Sequence, residues 1–110
     1  MLWFFNKSRK IKEEAKKRAV SWWKAQNLYG DELAEVKKEC TLCRKEIARM
    51  EGYLFYKSHV LNNDKYMKAE IERLEKRGVR PKDAQDIVWA QVEQTYEDWM
   101  VCDFCIERFV

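Results

Sequence analysis

Two Cys-x-x-Cys pairs, Cys40/Cys43 and Cys102/Cys105, constrain this chain more than any other feature, and 58 residues separate them. Two residues between cysteines let a tight turn aim both sulfurs at one point. Two such turns complete a tetrahedron of thiolates about a single ion. Soft donors with no open position favour a closed structural centre, so one structural Zn²⁺ on Cys40, Cys43, Cys102 and Cys105 is expected. An iron–sulfur cluster uses the same four thiolates and stays open at this point. A thioredoxin-like redox pair needs a βαβ setting, which neither pair has. Structural disulfides need an oxidising compartment, and nothing in the sequence implies one.

The 110-residue sequence as a whole is helix-leaning, with three glycines, one proline and 37% charged residues. The expected fold class is α+β, mostly α: a small β-hairpin zinc-knuckle core with an inserted helical hairpin and an N-terminal amphipathic helix. A single domain over 1–110 is expected, with a basic helix over 1–30. The four-cysteine module covers 40–110, and its helical insertion lies at about 63–98. The apolar run Leu2–Phe5 is far short of the roughly 20 residues that span a bilayer, and it lacks the architecture of a secretory signal. The expectation is a soluble cytoplasmic protein, not a transmembrane one.

Local signals place the elements. The first helix is expected to start near Asn6 or Ser8, both capping-type residues, and to stop at Gly30. Its inward stripe is Ile11, Ala15, Ala19 and Trp22, with Trp23 about 100° away. Asp31 caps a short second helix carrying Leu33 and Val36. The turn from Arg44 to Gly52 is expected to be bracketed by a β-hairpin whose second strand is Tyr53–Tyr56. Asn63 or Asp64 opens a helix reaching Arg77, with Tyr66, Met67, Ile71 and Leu74 apolar and Gly78 at its end. Pro81 opens another, whose buried face is Ala84, Ile87, Val88, Val92, Tyr96 and Trp99. The second cysteine pair opens a short terminal helix.

The sequence from Cys40 to Ile47, then Gly52-Tyr53-Leu54, then Trp99 to Ile106, resembles small uncharacterised bacterial proteins with a CxxCxxxI…GYL knuckle and a closing WxVCxxC element. The wider arrangement resembles the treble-clef zinc fingers. The resemblance covers about 40–57 and 99–109. It implies a zinc site on the four cysteines and no reaction. His59, followed by Asn62 and Asn63, also resembles the placement of the catalytic histidine in HNH nucleases framed by Cys-x-x-Cys pairs. The pattern departs at Ser58 and Ile106, where acidic and histidine or asparagine residues are usual. With one histidine in the chain, a degenerate HNH-type nuclease is the least favoured reading.

Charge is polarised along the chain. Seven basic residues and two acidic ones lie between Lys7 and Arg18, while seven acidic and no basic residues lie between Asp83 and Glu107. The leading expectation is a non-enzymatic zinc-stabilised interaction or adaptor module with a protein partner or a second copy. The alternative is nucleic-acid binding through Lys7, Arg9, Lys10, Lys12, Lys16, Lys17 and Arg18, a phosphate-contacting set. Peripheral membrane contact through Trp3, Phe4 and Phe5 is a third reading. Arg44, Lys45 and Arg108 are nearest in sequence to offset the −2 charge of a four-thiolate zinc centre.

Overall fold

The computed structural model describes residues 2–27, 38–95 and 97–110, with side chains of the first helix described from Lys7 to Gln26. The expected stop at Gly30, the helix capped by Asp31 with Leu33 and Val36, and Tyr96 lie outside the described residues. So do the side chains of Trp3, Phe4 and Phe5.

The fold is α+β and mostly α. Helix α1 runs over Leu2–Asn27. It continues through Asn6 and Ser8 rather than starting there, because Leu2–Phe5 contains no glycine or proline to break the first turn. Ala15, Ala19 and Trp23 are buried along one face at successive i, i+4 steps, with Ile11 and Trp22 half-buried at its edges. Trp23, not Trp22, therefore occupies the centre of the stripe. The two alanines let α1 lie close to the strand beneath it, and the next position on that face is 23. Trp23 Nε1 donates to the Glu51 carbonyl at 2.8 Å. Trp22 stands edge-on to it, with ring centroids 4.9 Å apart.

Among the described residues, four short strands form two antiparallel pairs. Strand β1 (Lys38–Glu39) pairs with β2 (Glu46–Ile47), and β3 (Tyr53–Phe55) pairs with β4 (Trp99–Val101). This corrects the expected hairpin. Strand β2 does not pair across Gly52 with β3; it folds back on β1 around the first cysteine pair. The partner of β3 comes from 44 residues further on, opposing Tyr53 to Val101 and Phe55 to Trp99. All six residues of the β3–β4 pair are buried. Burial on both faces favours the apolar, bulky run each strand contains.

Between β3 and β4 come a five-residue helix α2 (Lys57–Leu61), then α3 (Asp64–Lys76) and α4 (Pro81–Glu93). Asn63 caps α3 by accepting from the Tyr66 amide at 2.9 Å, which satisfies one of the free amides of the first turn. Gly78 has φ +94° after the helix end. Pro81 occupies the first helical position of α4. On α4, Ala84, Val88 and Val92 are buried, whereas Ile87 is exposed, one step off that face. Trp99 is buried as expected, but on β4 rather than on the helix.

An aromatic stack ties the last residues to this body. Phe109 lies between Phe55, at 4.5 Å between centroids, and Tyr66, at 4.7 Å, and Tyr66 meets Trp99 edge-on at 5.6 Å. Such pairs contribute about 0.5–1.5 kcal/mol each beyond their area. Glu70, 7% exposed, accepts from both Arg73 and Arg108, which joins α3 to the terminal 3₁₀ turn (Cys105–Arg108).

Candidate metal centre

The first cysteine pair occupies the turn between β1 and β2. Cys40 donates its amide to the Lys45 carbonyl at 2.8 Å, and Arg44 donates back to the Cys40 carbonyl at 2.9 Å. Arg44 sits at φ +66°, a left-handed conformation that tightens the turn. The second pair follows β4 directly. There the Ile106 amide donates to the Cys102 carbonyl at 3.0 Å, starting the 3₁₀ turn at Cys105. The two halves are joined along the backbone where the Thr41 amide donates to the Met100 carbonyl at 2.9 Å. The register of β4 therefore decides where the first turn sits relative to the second.

These turns bring together all four sulfurs expected from the spacing, within 4.8 Å of one another. Cys43 and Cys102, from opposite turns, have sulfurs 3.7 Å apart. A tetrahedron with metal–sulfur bonds of about 2.3 Å has edges of about 3.8 Å. The four cysteines are free thiols, with Cys40, Cys102 and Cys105 buried and Cys43 exposed. The set can hold a metal ion. Three of the four cysteines are thus enclosed by the fold and one lies at its surface.

The electrostatics favour a cation. Burial raises the Cys40 thiol, but amides of Cys43, Cys102 and Leu42 donate to its sulfur and bring it down to about 7. Cys105 is pushed up, first by burial and then by the crowded thiols of Cys102, Cys40 and Cys43. At Cys43 the Lys45 amide favours the thiolate, yet loss of water and the Cys40 and Cys102 side chains raise it overall. Four thiols packed this closely resist ionising together, since each thiolate disfavours the next. A divalent ion removes that conflict.

Arg108 does not serve as the neighbouring counter-charge expected from its position. Its guanidinium is bound to Glu70 and lies 5.4 Å from the Tyr66 ring centroid. Two further features of the site carry only faint sequence signals. Gly52 has φ +90°, and a Cβ there would sit 3.0 Å from Met100 Sδ and 3.1 Å from Ile47 Cγ2. Phe104, between the second pair of cysteines, is 84% exposed.

The residues of the nuclease comparison assemble differently. His59 Nδ1 accepts from the Tyr56 amide at 3.2 Å. Asn62 Nδ2 donates to the Ser58 carbonyl, and both ends of the Asn63 amide are engaged, by the Tyr66 amide and the Phe109 carbonyl. These side chains close the α2–α3 junction. Among the described residues, the four cysteines are the group of histidine, cysteine and carboxylate side chains gathered tightly enough for an ion.

The basic stretch of α1 is also partly committed. Arg9 pairs with Glu13 at 2.9 Å. Lys12 and Lys16 lie over the Tyr53 ring at 5.8 and 5.3 Å, and Arg18 donates to the Leu54 carbonyl. Lys7, Lys10 and Lys17 are exposed. No helix among the described residues is long and apolar enough to cross a membrane. In comparisons with known proteins, no family model, no curated protein and no solved structure matches this chain.

Proposed function

We propose that the chain is a non-enzymatic, zinc-stabilised interaction module, in which one structural Zn²⁺ binds Cys40, Cys43, Cys102 and Cys105. The observation that carries this reading is the gathering of four sulfurs from two distant turns within 4.8 Å. That span suits the ligand shell of one ion. A multinuclear iron–sulfur cluster attaches its thiolates to different irons and holds them further apart. Among single ions, an all-thiolate tetrahedral shell is the preference of zinc. Free thiols in this arrangement suit a reducing compartment.

In this reading the metal fixes a small scaffold and the surface does the binding. Among the described residues, the large exposed apolar side chains are Tyr56, Ile87, Trp89 and Phe104, and aromatic residues are common anchors at protein interfaces. Phe104 projects from the second knuckle itself, which couples its position to the metal. The test is elemental analysis of freshly purified, untagged protein. One zinc per chain, lost from the Cys40→Ser variant, supports the reading. Iron with a charge-transfer spectrum, or a chain free of metal, overturns it.

A further inference from the structure

Beside α1, a cavity of about 610 Å³ opens between that helix, the α2–α3 junction and the last residues, and its lining includes none of the cysteines. Small-molecule sites typically enclose roughly 300–1,000 Å³. Ile11, Phe55 and Phe109 supply its apolar lining, and Arg18, Lys65 and Lys68 its cations, with Lys7 nearby. Glu14 and Asp64 line it too, so the cations outnumber the carboxylates.

Arg18, Lys65 and Lys68 take no part in the ion pairs formed between side chains of the described residues. Two of them, Arg18 and Lys65, are nevertheless held in place. Arg18 Nε donates to the Leu54 carbonyl at 2.8 Å, with its guanidinium 5.7 Å from the Phe55 ring centroid. Lys65 Nζ donates to oxygens of Glu107 and Val110 at 2.9 and 2.8 Å. His59 adds a donor of defined direction. Its Nδ1 accepts from the Tyr56 amide, so the neutral ring carries its proton on Nε2.

We propose that this cavity binds a small organic anion, a phosphate or carboxylate held by Arg18, Lys68 and His59, with an aromatic or alkyl body against Ile11 above the buried Phe55–Phe109 stack. A positioned guanidinium gives a fork-shaped donor set for such a group, and the partly enclosed apolar lining strengthens that attraction relative to water. A neutral ligand would gain nothing from these cations, and a cationic one would be opposed by them.

His59 is the chain's one histidine, so its imidazole resonances report the cavity directly. Burial and then Arg18 hold its pKa below the ordinary value, while Glu14 and Asp98 act in the opposite sense; Asp64, Lys65 and Lys68 share the cavity. A bound anion favours the imidazolium and raises that pKa.

The experiment is an NMR titration of the purified full chain with phenyl phosphate, benzoate, inorganic phosphate and benzyl alcohol. Saturable shifts at Ile11, Phe55 and His59 with phenyl phosphate or benzoate are expected, together with a rise of about 0.5 in the His59 midpoint. Whichever of the two binds tighter names the head group. Lys68→Glu is expected to weaken binding by about fivefold, while Lys10→Glu on exposed α1 leaves it unchanged. Absence of saturation, equal binding of benzyl alcohol, or equal weakening by both variants overturns the proposal.

Discussion

At Gly52 the backbone and the packing make the same demand. The residue has φ +90°, and any Cβ would press on Met100 Sδ at 3.0 Å and Ile47 Cγ2 at 3.1 Å. Met100 is fully buried on β4, two residues before Cys102, so it has little room to retreat. Gly78 provides the contrast, with φ +94° and nothing within 4 Å of the added carbon. Gly78→Ala pays only the backbone term, about 1 kcal/mol. Gly52→Ala adds overpacking to it and is expected to cost about 2–4 kcal/mol in total. Urea denaturation of the two variants beside the parent chain checks the ordering. Equal midpoints would mean that the Met100 and Ile47 contacts yield freely.

At the scale of the elements, the docking of α1 depends on which tryptophan faces inward. Trp23 is 2% exposed and bonds to the Glu51 carbonyl, while Trp22 is half-buried against Trp23 with Lys38 over its ring at 5.2 Å. Trp23→Ala is therefore expected to destabilise by about 3–5 kcal/mol, and Trp22→Ala by about 1 kcal/mol or a little more. A larger loss at Trp22, measured by thermal unfolding of both variants, would contradict the observed face. Periodicity placed the stripe of α1 correctly through Ala19 but could not choose between adjacent indoles at its end. Elements with local signals were legible: Asn63, Gly78 and Pro81 each mark a helix boundary through backbone chemistry within a few residues. The four cysteines were legible as a group for a similar reason, since their spacing is itself the geometry of a turn. Strand pairing was not. Each strand of the β3–β4 pair has three residues and is buried on both faces, so it shows no alternation, and its partner is 44 residues away. Helix α2, at five residues, is likewise too short to show a period.

For the whole molecule, the proposed ion acts as a cross-link between the two turns rather than as one more local contact. It closes the 58-residue segment that contains α2, α3 and α4, and it does so beside the Thr41–Met100 backbone bond between the two halves of the site. If the metal constrains the unfolded chain as a covalent cross-link does, a loop of this length contributes about 4 kcal/mol. Typical domains have net stabilities of about 5–15 kcal/mol, so stripping the ion leaves the fold near its threshold. Chelation under reducing conditions is expected to lower the unfolding midpoint by about 15 °C or more, with the near-ultraviolet dichroism of the Phe55, Phe109, Tyr66 and Trp99 stack weakening at lower temperature. The pH dependence has a fixed sign: ligation needs thiolates, so acid competes with the metal and the holo form loses stability as pH falls. Cys40, with its thiol lowered to about 7, gives up the least in that competition, whereas burial and the neighbouring thiols raise Cys105 and make it cost more to ionise. A chelated chain that melts at the same temperature as the metal-loaded one at pH 7 would show that the aromatic stack and the strand pair hold the fold without the ion.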